Sequence, residues 1–141
     1  MTSVTARRTA TVLAAPLAAL AAWALFRAGG VSFRVSTGDG HVGAGDVVVV
    51  ATVAALLGWV VARALESRVQ RPRLWWARIG SSCCAASIVG PSWLASDVSA
   101  VALMALHVVT AAVIVVGFAV TLPLRRRPSG YATAEPQASS R

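Results

Sequence analysis

Four apolar runs, each about as long as a bilayer is thick, dominate this chain: Thr9–Phe26, Val47–Leu65, Leu74–Leu94 and Val98–Leu122. A transmembrane helix needs about 20 apolar residues to cross a hydrocarbon core of about 30 Å. Backbone inside lipid must satisfy its own hydrogen bonds, which a lone segment does only as a helix. Even Val47-Val48-Val49-Val50, a strand-like sequence in water, is therefore expected to be helical.

The arginines sort to one side of these runs. Threaded through a bilayer in order, the runs put Arg7, Arg8, Arg63, Arg68, Arg71, Arg73, Arg78, Arg125, Arg126, Arg127 and Arg141 on one face, leaving Arg27 and Arg34 on the other. Cationic loops stay on the cytoplasmic side. The expected fold is an all-α membrane protein, an antiparallel four-helix transmembrane bundle with both termini cytoplasmic, multi-pass in the cell membrane. Its helices cover about 9–27, 46–68, 72–94 and 97–124, after a polar tail at 1–8. An outer loop spans 29–45, and a basic, then disordered, tail follows from 125.

Composition agrees. Hydrophobic residues make up 57% and charged residues 13%, against about a quarter charged in a soluble domain. The net charge of +8 does not point to nucleic acid, because the arginines cap apolar runs rather than line a polar face. Cys83 and Cys84 are adjacent inside the third run, where helical neighbours diverge too far to bond. The first run also looks like a signal sequence, with Arg7 and Arg8 ahead of it. Its length, and Trp23 and Phe26 at its end, favour a retained span.

Local signals set the boundaries. Gly29–Gly30 stop the first helix, and Pro16 is tolerated inside it. Val31, Phe33 and Val35 alternate with polar residues ahead of a turn at Thr37–Gly40, as in a small hairpin. Asp46 is a natural N-cap for the second helix, whose Arg63 and Glu66 reach back to headgroups. A short loop makes helices two and three neighbours, and Pro72 suits the first turn of helix three. That helix is the weakest span. Arg78 lies within it, and Pro91 is expected to end or bend it. Trp75 and Trp76 mark the inner interface, Trp23 and Trp93 the outer one, and Trp59 packs between helices. Small residues recur at Ala14, Ala18 and Ala22, at Ala51 and Ala55, and at Ser82, Ala86 and Gly90, spacing that lets helices approach closely.

One ionisable residue sits deep. His107 lies about 13–14 Å into the fourth run at about 1.5 Å per residue. Intramembrane ionisable groups are candidates for function. Helix three returns Ser82 to a similar level, with Ser87 and Thr110 within about a turn. Together they form a candidate ligand or proton site; a histidine bonded to a neighbouring serine or carbonyl is the plainer reading. A metal held by Cys83, Cys84 and His107 is disfavoured, since adjacent cysteines cannot turn to one ion. On the outer face Asp39, His41, Asp46 and Asp97 are acidic-mouth candidates, although capping and turn chemistry explain the three aspartates. On the inner face Arg63, Arg68, Arg71, Arg73, Arg78, Arg125, Arg126 and Arg127 are candidates for anionic lipid headgroups. Phosphate-loop, dinucleotide, HExxH and GxSxG patterns are absent, and no carboxylate lies in an apolar run to orient His107. No catalytic residue, cofactor or metal is assigned.

Several segments carry a resemblance. They are Phe33-Arg34-Val35, Val42-Gly43-Ala44-Gly45-Asp46-Val47-Val48-Val49, Ser87-Ile88-Val89-Gly90-Pro91, Ala102-Leu103-Met104-Ala105-Leu106-His107-Val108-Val109 and Ala111-Ala112-Val113-Ile114. Over roughly residues 9–124 the chain resembles an uncharacterised family of small actinobacterial membrane proteins, domain-of-unknown-function family 6069. The family pattern reads Met-His where this chain has Met104 three residues before His107. The resemblance implies four helices and membrane residence, and no activity. The leading expectation is a non-enzymatic accessory or structural membrane protein, packing against itself or a membrane partner. The alternative is a transporter or ligand binder built on His107.

Overall fold

The computed structural model describes residues 3–31, 33, 42–94 and 97–124. Four helices carry them: α1 Val4–Ala28, α2 Ala44–Arg68, α3 Pro72–Leu94 and α4 Asp97–Ala119. No strand occurs among the described residues. The hairpin expected around Thr37–Gly40 and the tail from Arg125 lie outside them.

Each helix end has a local cause. Ser3 caps α1 by accepting the Ala6 N–H at 3.2 Å, so the helix starts ahead of the apolar run and draws in Arg7 and Arg8. At its other end Gly30 adopts φ +83°, open to glycine at no steric cost. The Val31 N–H then reaches the Phe26 carbonyl at 3.0 Å and the Gly30 N–H that of Arg27 at 3.1 Å. This paired return satisfies carbonyls the helix would otherwise leave open. α2 begins two residues before the expected cap. Gly43 holds the N-cap position, and Asp46, in the first turn, reaches back to accept the Gly43 N–H at 2.9 Å. A carboxylate there meets the backbone donors and the helix dipole as well as an N-cap aspartate does. α3 continues through Pro91 to Leu94; the proline costs one backbone bond without ending the helix.

Packing departs from chain order. α1 lies against both α2 and α4, α3 lies mainly against α4, and α2 touches α3 and α4 only lightly. The short loop therefore joins two helices that barely pack, because α1 occupies the contact face of α2. The start of α1 sits beside the ends of α2 and α4, joined through Arg8, Glu66 and Thr121. The start of α3 sits beside the end of α4, where the Trp76 indole N–H donates to the Val115 carbonyl at 2.9 Å.

Small residues permit these contacts. A β-carbon on Gly117 would fall 2.4 Å from a methyl of Thr11, and one on Gly80 would fall 2.7 Å from a methyl of Val115. One core joins Val12, Ala15, Ala55, Ala62, Trp76, Ile114, Phe118 and Leu122, with Trp59 packed beside it. Trp76 and Phe118 meet edge to face at 5.5 Å. Trp76 is thus a core residue only 3% exposed, while Trp75 stays half exposed beneath the Arg78 guanidinium. A second core at the opposite end gathers Phe33, Ala102 and Leu106 with Trp23, Phe26, Val31 and Val42. There the Trp23 indole N–H donates to the Val42 carbonyl at 3.3 Å. The chain on either side of residues 34–41 also meets, the Val42 N–H reaching the Phe33 carbonyl at 3.2 Å.

The alanine stripe of α2 is buried at Ala51, Ala55 and Ala62. In α1 the buried stripe is Arg8, Thr11, Val12, Ala15 and Ala19 rather than the Ala14 series. In α3, Ser82 and Ala86 face outward. Large side chains take the opposite position: Leu13, Leu17, Leu25, Val49, Val50, Val53, Leu57 and Val60 are all more than half exposed. Among the described residues, α1, α2 and the 100–119 stretch of α4 are long and apolar enough to cross a membrane.

Candidate functional site

The polar residues expected to cluster around His107 are each tied to their own helix. The His107 Nδ1 lies 2.8 Å from the Leu103 carbonyl. A carbonyl only accepts, so Nδ1 carries the proton and donates. The Thr110 hydroxyl donates to the Leu106 carbonyl at 2.8 Å, and the Ser87 hydroxyl to the Cys84 carbonyl at 2.9 Å. Ser82 is exposed on α3. Counting equally along both helices from the Gly80–Val115 contact puts Ser87 level with His107. Ser82 then lies about a turn and a half nearer the arginine-rich end. No side-chain bond joins any two of the four. His107 and Thr110 share a face of α4 with Ile114, which packs on Gly58 of α2. The Nε2 of His107 has no partner among the described residues, yet no buried side-chain nitrogen or oxygen there lacks one. Nε2 is therefore open rather than sealed. Cys83 is exposed and Cys84 half-buried.

The most developed polar site lies elsewhere, where α1, α2 and α4 meet. Arg8 is 2% exposed. Its Nη1 donates to Glu66 Oε2 at 3.1 Å, its Nη2 donates to Glu66 Oε1, and its Nε donates to Thr121 Oγ1 at 3.2 Å. The Thr121 hydroxyl in turn donates to the Phe118 carbonyl at 2.8 Å. The fork of two parallel bonds suits a planar guanidinium facing a carboxylate. All three guanidinium nitrogens donate to an acceptor near another helix end, which a buried ion needs. The sequence reading had Arg8 as a topology marker and Glu66 as a headgroup residue. The available signal was the spacing Arg8, Val12, Ala15, Ala19, which continues one buried face to the arginine, together with Glu66 as an acid among many arginines.

Around this junction the surface is cationic. Arg63, Arg68, Arg71, Arg73 and Arg78 are exposed, and Arg63, Ala64, Glu66 and Ser67 line an open depression. Arg125, Arg126 and Arg127 lie outside the described residues. At the opposite end Asp46 is exposed and serves its helix start. Asp97 is the first residue of α4, with its side chain outside the described set, as are Asp39 and His41.

A family model matches residues 1–123, all four helices included. The chain belongs to the family of unknown function DUF6069. Arg8, Glu66, His107 and Thr121 all fall within the part of the chain that DUF6069 covers. No curated protein and no solved structure matches the chain.

Proposed function

We propose that this chain is a non-enzymatic integral membrane protein, a four-span antiparallel bundle in the cell membrane that acts by packing against itself or a membrane partner. The observation that carries the reading is the inverted placement of large and small side chains. Buried positions in α1 and α2 are mostly alanines, while leucines and valines point outward. Water selects the reverse. Lipid favours it, since tails solvate large apolar groups and close helix contact rewards small ones. The arginine-rich ends lie on one side of the bundle, supporting cytoplasmic termini. α3 is the fourth span. Its charges sit at one end, with Arg78 folded over Trp75, and its outward Ser82, Cys83 and Ala86 offer a surface of small side chains.

Reporter fusions at each terminus, combined with alkaline carbonate extraction, test this reading. The expected result is carbonate-resistant protein with both reporters cytoplasmic. Release by carbonate, or reporters on opposite sides, ends it.

A second reading, a ligand binder or transporter using His107, Ser82, Ser87 and Thr110, draws on the open Nε2 of His107. The self-contained hydrogen bonds of Ser87 and Thr110 make it the weaker of the two.

A further inference from the structure

One part-buried ion pair sets the charge balance at the arginine-rich end. Glu66 is the only carboxylate that the described residues place there, since Asp46 and Asp97 stand at the opposite ends of their helices. Both Glu66 oxygens are taken by Arg8, so the two charges cancel each other although Glu66 is partly exposed. Arg63 is about one turn before Glu66 on the same helix and lines the same depression. It is exposed and makes no ion pair among the described residues, and the same holds for Arg68, Arg71 and Arg73. Among the described residues these guanidiniums have no carboxylate counter-ion where α2 turns into α3. Leu74 and Trp75, 44% and 47% exposed, flank them. A cationic corner beside exposed apolar groups, at the end of helices with leucine and valine outward, matches a bilayer interface.

We infer that this corner binds the phosphates of anionic phospholipid headgroups, and that Arg8 sets its affinity without touching lipid, by keeping the Glu66 carboxylate away from Arg63. The inference rests on the membrane-spanning reading above. Guanidinium recognises phosphate through paired, charge-assisted hydrogen bonds. Residues three apart on a helix are neighbours. A Glu66 released by loss of Arg8 therefore swings to Arg63 and competes with the phosphate as an internal anion. Arg8 is a positioning residue here.

The test uses the full chain in vesicles of equal parts phosphatidylcholine and phosphatidylglycerol, with spin-labelled forms of both lipids. The readout is the ratio of their association with the protein. The wild type prefers phosphatidylglycerol. Arg63→Gln, Arg71→Gln and Arg73→Gln each lower the preference by up to about fivefold. Arg8→Gln lowers it by about one arginine's worth although the residue is buried, and adding Glu66→Gln restores it. Ala64→Glu places a free carboxylate in the depression with the Arg8 contact intact. It lowers the preference equally and carries the test if Arg8→Gln does not fold. An unchanged preference in Ala64→Glu, or no recovery in a folded double variant, overturns the control by Arg8. An unchanged preference after the three arginine changes overturns the site. Displacement of the labelled lipid by inorganic phosphate makes it a soluble-anion site and overturns the lipid assignment. Protein retained after carbonate but without lipid preference sinks only this inference, whereas carbonate release sinks the membrane reading itself.

Discussion

Gly117→Ala tests the tightest glycine contact among the described residues. In the wild type, α4 passes α1 with no side chain between Gly117 and Thr11. The added methyl would sit 2.4 Å from Thr11 Cγ2, 2.7 Å from its Oγ1 and 3.1 Å from its Cβ. Ordinary contact needs about 3.5–4.0 Å, so the helices must separate by about an ångström. Thr11 cannot swing clear, because its hydroxyl is held on the Arg7 carbonyl at 3.1 Å and the residue is buried. Overpacking of this kind costs about 1–3 kcal/mol. Replacing glycine inside a helix returns up to about 1 kcal/mol, leaving a net loss of up to about 2 kcal/mol. Gly45→Ala is the control, since nothing lies within 4 Å of its added carbon, and it is neutral or slightly stabilising. The assay is reversible unfolding in mixed micelles, followed by circular dichroism. Thr11→Ala added to Gly117→Ala removes the two nearest atoms and recovers most of the loss. If Gly117→Ala and Gly45→Ala unfold alike, α1 and α4 do not meet as described.

Other expectations follow from the same contacts. Arg8→Met or Glu66→Gln alone strands one member of a largely buried pair and costs about 3 kcal/mol, while Arg8→Met with Glu66→Leu loses much less; the same unfolding assay gives the coupling energy, and additive losses refute the pairing. Trp76→Phe keeps the ring contact with Phe118 but removes the indole bond to Val115, costing about 1 kcal/mol, against about 3–5 kcal/mol for Trp76→Ala; equal effects would mean the indole N–H is idle. His107→Leu stays within about 1 kcal/mol of wild type, because its hydrogen bond is internal to α4; a much larger loss would reveal a partner on Nε2. A bulky lipid-soluble maleimide labels Cys83 faster than Cys84, and Cys83→Ala removes most of the early signal; equal rates would contradict their exposures.

How much of the site could be read from the chain depends on the residue. Gly29–Gly30 and Pro72 marked helix boundaries correctly, because both act on backbone geometry within a turn. Asp46 showed a helix start but not its register, since an aspartate can satisfy the first N–H groups from more than one position. Trp75 and Trp76 looked equivalent, yet one faces out and the other fills the core. Arg7 and Arg8 were equally alike, yet Arg7 is exposed while Arg8 is buried and bonded to Glu66 and Thr121. Adjacent residues on a helix point about 100° apart, so one step decides between lipid headgroup and protein interior. In a chain so rich in alanine, several stripes satisfy the small-residue spacing, and α1 packs through Ala15 and Ala19 instead of the neighbouring series.

The linear order of residues determined that four helices form and roughly where along the chain they lie, along with which ends are cationic. Those outcomes follow from apolar run length, capping and backbone hydrogen bonding, all local. Tertiary structure alone decided how each helix is turned about its axis and which helices touch. It thereby buried Arg8 against a half-buried Glu66, left Arg63 facing outward, and kept His107 bonded to its own backbone. The physical reason is that rotation of a helix leaves its internal hydrogen bonds unchanged. Only steric fit against other helices, such as Thr11 against Gly117, selects among the rotations.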